Sequence, residues 1–449
     1  MEENIGEDMH YVGLFNIDGN QIQGEIIHDI QNGVILLVVR FEFDFSEGLP
    51  EKPSRNPSFI EGRLTNGTIV NLYNNKLVKN LTQNFKYQEI QYIVKYMIWS
   101  YKELPNPMFD KITCELENGL EWSGLTGIEK KELTNFIIKS STPKTFYWYG
   151  VKIDFFTSIK NELTSLPRKE VCEIVERLVI TIESDEKKNI NFFIDIKDKV
   201  LSLISFAIHD NINVIEQYFT DNNDFESIGN YNNYSKYWFI DNKPVYNIHY
   251  THPFDYNFSL NNLSDDDSQL SEKLERLTPI FNLYLSLFKY PYMPTEMIFL
   301  NVVQALETLH SRFFSDNDKK KYVQYVEERF EKGSLHYNLL LSNTQMDKNC
   351  SYIILSSRLN DLLIRGQDDL FAEFYMGDNE FAQRIADTRH YYTHYGESKR
   401  SKALKGDNLL NAIMILKLLL EYHVCDILKI NIDQHIAENL YYYNSNKVD

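Results

Sequence analysis

The stretch Phe381-Ala382-Gln383-Arg384-Ile385-Ala386-Asp387-Thr388-Arg389-His390-Tyr391-Tyr392-Thr393-His394-Tyr395-Gly396 decides how the C-terminal part of the chain reads. Asp378 or Asn379 can cap the start of a helix here, and Gly396 can end it in the left-handed conformation. The spacing predicts a helix over 379–394 with Arg389, His390 and His394 in its last turn and a half. His390 and His394, four apart, share a face. Arg389 lies five residues before His394, so the helix end must bend or unwind for all three to converge.

Positive charge concentrates around this segment. From Phe381 to Leu410 there are six lysines and arginines against three carboxylates, a local charge of +3 before any histidine is protonated. Lys399, Arg400, Lys402 and Lys405 supply its downstream half. The chain of 449 residues as a whole carries a net charge of −18. A uniformly acidic surface repels phosphate, which excludes a general nucleic-acid coat but leaves room for one local site.

Outward from that helix, the chain divides by pattern. After Pro291 and Pro294 the apolar spacing of Met297, Leu300 and Val303 is helical. Helices are expected over 272–288, 295–314, 319–330, 349–363, 369–374, 379–394 and 407–430. The N-terminal part reads as strands: Tyr11–Ile17 and Gln21–Ile27 flank Asp18-Gly19-Asn20, and Phe59–Leu64 and Thr68–Tyr73 flank Asn66-Gly67. Both turns tolerate the positive φ of a tight hairpin. A sandwich or barrel-like module is expected there, with a sub-boundary near 85–150. Between 85 and 262 the pattern is mixed: Lys169–Ile182 and Val200–Phe219 have helical apolar spacing, and Ile112–Leu116 and Phe146–Phe156 read as strands. The fold class expected is α+β multidomain. A β-rich or mixed region covers 1–262, an acidic linker 263–271, and an all-α bundle 272–449.

Three chemistries fit Arg389, His390 and His394. The first is none: a capped surface helix whose histidines meet the negative end of the helix dipole. The second is a metal site, since His-x3-His places two ligands on one helical face. The zincin pattern wants Glu directly after the first histidine, however, and this chain has Tyr391. The third is metal-free phosphodiester chemistry. Histidine titrates near neutrality, with an ordinary pKa of about 6.5, and arginine offers phosphate oxygens a planar, permanently charged fork.

Arg389-His390-Tyr391-Tyr392-Thr393-His394 resembles the R-x4-H motif of HEPN ribonucleases, with a polar residue after the arginine. Phe299-Leu300-Asn301-Val302-Val303-Gln304-Ala305-Leu306-Glu307-Thr308-Leu309-His310 is similar to an early helix of the ApeA-like HEPN subgroup, an apolar run ending in Ala-Leu-Glu. The paired N-terminal strands, with Gly24 and Gly62, resemble the β-rich domain that precedes HEPN in ApeA-type anti-phage proteins. The resemblance covers the whole chain loosely and 295–425 more firmly. It implies a metal-independent endoribonuclease effector of bacterial anti-phage (abortive infection) defence, acting on structured RNA, with tRNA as the leading example. Arg389 would stabilise the phosphorane charge, His394 would be the principal acid–base group, and His390 would orient substrate or share proton transfer. Glu307, Asp387 and Arg384 would support them, and Lys399, Arg400, Lys402 and Lys405 would hold RNA. The resemblance further implies no cofactor or metal, a homo-oligomer formed through the HEPN domain, and a sensor or regulatory N-terminal region answering a phage-derived trigger. The helix 407–430 is one candidate for the oligomer interface and equally a core helix of its own bundle. The rival from another class is a non-catalytic HEPN binding or scaffold protein whose N-terminal region recognises a phage or host partner.

Other features add little. Cys114, Cys172, Cys350 and Cys425 lie far apart with no metal-ligand spacing, as reduced thiols of a cytoplasmic protein would. Met1-Glu2-Glu3-Asn4 begins no signal peptide. Leu409–Leu420 falls short of the roughly 20 apolar residues that span a membrane, so no membrane partner is expected. His249 and His252 read as loop, and Asp265–Asp267 as linker. No phosphate-binding glycine loop is present.

Overall fold

The computed structural model describes residues 9–42, 54–83, 87–132, 135–139, 141–166, 169–228, 231–249, 255–264, 269–290, 292–315, 318–346, 352–366, 370–377 and 380–445. It contains two compact units. The first comprises 1–121, 125–198 and 212–248, and the second 122–124, 199–211 and 249–449.

The first unit begins with β1 (Met9–Ile17), β2 (Asn20–Asp29), β3 (Val34–Glu42), β4 (Phe59–Leu64), β5 (Ile69–Tyr73), β6 (Lys76–Gln83), β7 (Tyr87–Val94) and β8 (Tyr96–Ser100). Chain continuity makes β5–β6 one bent strand and β7–β8 another. They form a long hairpin in which β6 pairs with β7 and β5 with β8. The ladder then runs from β5 to β4, β1, β2 and β3, and returns to β7. Every pairing is antiparallel, so six strands close on themselves as a barrel, which removes edges.

Its interior is apolar. Phe15, Ile26, Leu37, Ile60, Leu72, Ile90 and Met97 are buried together. Gly24 and Gly62 have a steric reason: a Cβ at Gly62 would lie 2.4 Å from the Phe15 ring, and one at Gly24 would lie 2.7 Å from Val39 Cγ1. The two glycines make room for one phenylalanine.

The remaining strands are β9 (Met108–Leu116), β10 (Ile128–Glu132), β11 (Asn135–Ile138), β12 (Lys144–Trp148), β13 (Val151–Leu166), β14 (Lys169–Asn189), β15 (Val214–Ile228) and β16 (Tyr231–Asp241). β10 and β11 form a separate pair. The others extend the ladder from β8 in the order β16-β15-β9-β14-β13-β12. Two expectations fail here. Residues 169–182 are strand, not helix. Each of Leu166 to Ile153 on β13 finds a partner there, and Leu178 to Ile182 are buried without alternation. Where both faces are covered, as at Leu178–Ile182, a strand loses its period-2 signature and its spacing passes for helical. Residues 200–219 are not one helix either. After α1 (Leu120–Ser123), helix α2 spans Ile190–Ile208, His209 turns with φ 56°, and β15 starts at Val214. Asp210-Asn211-Ile212-Asn213 carried the turn signal.

The second unit is helical: α3 (Leu270–Lys289), α4 (Thr295–His310), α5 (Lys319–Arg329), α6 (Leu335–Met346), α7 (Leu355–Ile364), α8 (Phe381–His394), α9 (Glu397–Arg400), α10 (Asp407–Ile427) and α11 (Asp433–Ser445). Helix α4 is central. Phe299, Val302, Val303, Leu306 and Leu309 are buried along it, and it ends in a π-turn at Ser311–Ser315. Helix α10 is buried along most of its length, from Leu409 to Cys425, with Leu410 exposed. Its apolar surface is used inside its own bundle, so it offers no broad face to a second copy. Among the described residues no helix is long and apolar enough to cross a membrane. Cys114 and Cys425 are free and buried.

Charges are buried beside α4. His310 Nε2 lies 2.9 Å from Asp361 Oδ2, and Arg358 Nη1 lies 3.4 Å from His310 Nδ1. With Nε2 facing a carboxylate and Nδ1 facing a guanidinium, the proton belongs on Nε2, which donates to Asp361. Arg365 Nε is 3.0 Å from Asp361 Oδ1. His423 Nε2 donates to Leu362 O at 2.8 Å.

Burial pushes the His423 imidazole down to about 4, and lowers His310 and His209 by the same cause. In the unfolded chain histidine titrates near about 6.5. Between those values the unfolded chain binds protons that the folded chain refuses, so stability falls as pH falls. The helical signal is therefore expected to melt at progressively lower temperature from pH 7 to pH 4.5. His423→Gln should flatten that slope while lowering the neutral-pH melting temperature. A melting temperature independent of pH over this window would contradict the assignment.

Candidate active site

Helix α8 is amphipathic. Phe381, Ala382, Ile385, Thr388 and Tyr392 are buried, with Ala382, Ile385, Thr388 and Tyr392 three or four residues apart. Tyr392 meets Phe299 of α4 edge-on at 6.3 Å. Gln383, Arg384, His390, Thr393 and His394 are exposed, and Arg389 is half-buried. The positions expected to cap the start, Asp378 and Asn379, lie outside the described residues.

The helix ends at His394, as expected, but the left-handed turn falls on Tyr395 and not on Gly396. Tyr395 takes the left-handed conformation, φ 50° and ψ 32°, and donates its backbone N–H to Tyr391 O at 2.5 Å. Gly396 has an ordinary φ of −70°. Left-handed backbone costs a residue with a Cβ roughly 1–2 kcal/mol, so a local strain sits directly beside His394.

The two histidines do come together. Their ring centroids are 4.9 Å apart at an interplanar angle of 55°. Arg389 faces the other helix: its Nη2 lies 3.8 Å from Glu307 Oε2, with the two side chains 40% and 35% exposed. That distance is an ion pair longer than a direct hydrogen bond. At such exposure it is worth well under about 1 kcal/mol, so it orients the guanidinium without sequestering it.

Asp387 and Lys399 are placed differently from the sequence expectation. Lys399 Nζ donates to the buried Asp387 Oδ1 at 2.5 Å, and Gln383 Nε2 donates to the same oxygen at 3.2 Å. Asp387 therefore supports the loop after α8 and is the ion-pair partner of Lys399, whose charge it neutralises. Two more contacts fasten that loop: Leu404 N–H donates to Thr388 Oγ1 at 3.0 Å, and Tyr392 OH donates to Leu404 O at 3.0 Å. Arg400 pairs with Glu397 at 3.3 Å. Lys405 Nζ stands 5.6 Å from the centre of the Tyr391 ring. Lys402 and Lys405 are exposed. Arg384 is exposed one turn before Arg389, and its backbone carbonyl accepts from Thr388 Oγ1.

Sequence reasoning missed the His310–Asp361–Arg358 cluster. It sits one turn beyond Glu307 on α4 and fastens α4 to α7. Nothing local to His310 announces Asp361, which is 51 residues away. Among the described residues no three His, Cys, Asp or Glu side chains are grouped to hold a metal ion.

Two family models match the chain: ApeA N-terminal domain 1 over residues 10–273, and Apea-like HEPN over residues 300–434. The chain belongs to the ApeA family of HEPN-domain anti-phage proteins. No curated protein and no solved structure matches it. The HEPN match contains α4 from Leu300 onward, with Glu307, and all of α8, so both sides of the Arg389–Glu307 contact belong to the HEPN region.

Asp387→Ala should free Lys399 and loosen the loop after α8. Removing the acceptor of a charged hydrogen bond at a largely buried position costs about 1–3 kcal/mol. Urea unfolding of the variant should show that loss, and an unchanged midpoint would mean the latch carries no stability.

Proposed function

We propose that this protein is a metal-independent RNA endonuclease, an effector of abortive anti-phage defence, with Arg389, His390 and His394 as its catalytic residues. The observation that carries the reading is the adjacent, exposed His390–His394 pair beside Arg389, at the end of α8 in an ApeA-like HEPN region.

The chemistry is RNA cleavage by its own 2′-hydroxyl. One histidine, His394 in this reading, takes the 2′-hydroxyl proton as the 2′-oxygen attacks phosphorus. The bond to the 5′-oxygen breaks, and a proton from the other imidazole goes to that leaving oxygen. Arg389 faces the charge that builds on the phosphorane oxygens. The products are a 2′,3′-cyclic phosphate and a 5′-hydroxyl, and no water is consumed. Glu307 holds Arg389 in place until phosphate displaces it. Asp387 positions the loop through Lys399. Arg384, Arg400, Lys402 and Lys405 add positive charge that guides RNA to the helix end.

In this reading residues 272–449 are the ribonuclease domain, 263–271 a linker, and 1–262 a sensor or regulatory region that answers a phage-derived trigger. The enzyme works as a homo-oligomer through its HEPN region on structured RNA such as tRNA, and cleavage stops growth of the infected cell. The overall charge of −18 keeps RNA off the rest of the surface.

The test incubates full-length protein with total RNA in chelator. Wild type should cut. His394→Ala and Arg389→Ala should each lose at least about a hundredfold in rate, the usual contribution of a positioned proton donor or a charge-stabilising group. Equal cleavage by wild type and variants would sink the assignment. Protection of cells that survives His394→Ala but not loss of the N-terminal region would favour the binding-protein alternative.

A further inference from the structure

The strained, exposed Tyr395 calls for an explanation. A glycine stands at the very next position, yet the chain makes its left-handed turn on tyrosine. A bulky residue in that conformation is a genuine outlier, and such outliers concentrate where a side chain has to be aimed. The residue is 66% exposed, so little packing compensates for the strain. It meets Tyr391 at 5.6 Å and Tyr392 at 6.5 Å, both edge-on. Tyr391 is itself capped by the Lys405 ammonium, 5.6 Å from its ring centre. The result is an aromatic shelf one residue beyond His394, backed by a cation.

We infer that Tyr395, buttressed by Tyr391, is a stacking platform for one unpaired RNA base next to the phosphate cleaved at His390 and His394. This rests on the ribonuclease reading and adds a specificity residue to it. An exposed aromatic face takes any base by stacking, with no hydrogen-bond code. A base can reach it only when unstacked from its neighbours, so duplex is excluded and single-stranded loops are selected. Lys405 and Lys402 lie on the same loop and suit the flanking phosphates. Tyr395 is thus a binding residue, and the proton transfers remain with the histidines.

The test separates stacking from structure. Tyr395→Gly and Tyr395→Asn both suit the left-handed turn and remove the ring, while Tyr395→Phe keeps it. Cleavage of a synthetic RNA hairpin and of a fully paired duplex of the same composition is measured in chelator, together with melting temperature. The Gly and Asn variants should lose about ten- to a hundredfold in kcat/KM on the hairpin, as the loss of one stacked base predicts, mainly through KM. Their melting temperature should equal or exceed that of wild type, and Tyr395→Phe should cleave within about threefold of it. Wild type should prefer the hairpin. Undiminished cleavage by Tyr395→Gly, a fall in its melting temperature alongside activity, or equal wild-type cleavage of duplex would each overturn the inference. If wild type cuts no RNA, the ribonuclease reading fails by itself. The shelf is then judged on binding of a single-stranded oligonucleotide, and equal affinities of wild type and Tyr395→Gly overturn it.

Discussion

Ile385, Thr388 and Tyr392 lie on one face of α8, and their burial fixes the rotation of that helix about its own axis. Because a helix has 3.6 residues per turn, that choice settles where every other side chain points. His390 and His394 must face outward, and Arg389 falls at the boundary where it can meet Glu307 of α4. Thr388 and Tyr392 also receive the loop that follows, through Leu404. One buried face therefore does two things: it presents the histidines and it holds the chain beyond them.

Helix α4 is the other half of the arrangement. Its apolar residues pack the bundle, Phe299 meets Tyr392, and Glu307 meets Arg389. A turn later His310 enters a buried network with Asp361 and Arg358. Such a network is high-stakes, since removing one partner strands the charges of the others. It locks α4 to α7 and so keeps the Glu307 carboxylate at a defined height opposite α8.

Much of this was legible in the chain. The Asp18-Gly19 and Asn66-Gly67 turns marked true hairpins, because local turn chemistry decides them. The helices expected from Thr295, Lys319, Asn379 and Asp407 formed, whereas the described residues of 369–374 hold only a short 3-10 turn at Ala372–Phe374 and helix α6 was not foreseen. The reading failed where tertiary contact outweighs local pattern. Val171 to Ile182 lie in a strand that pairs with β13 throughout and with β9 from Val179, and at Leu178–Ile182 both faces are buried, so no polar alternation survived there to reveal it. At the site, the R-x4-H spacing and Glu307 could be picked out, but the partner of Lys399 could not. Asp387 competes for nearby cations through the path of a loop, which spacing alone does not contain. The left-handed Tyr395 was equally hidden, since Gly396 was the more natural stop.

The account rests on the claim that Arg389, His390 and His394 break RNA through its own 2′-hydroxyl. The most direct measurement is the chemical form of the ends released by the full-length protein in chelator. The account predicts 2′,3′-cyclic phosphate on one fragment and 5′-hydroxyl on the other. Fragments ending in 3′-hydroxyl and 5′-phosphate would contradict it, because those ends require water or another outside nucleophile.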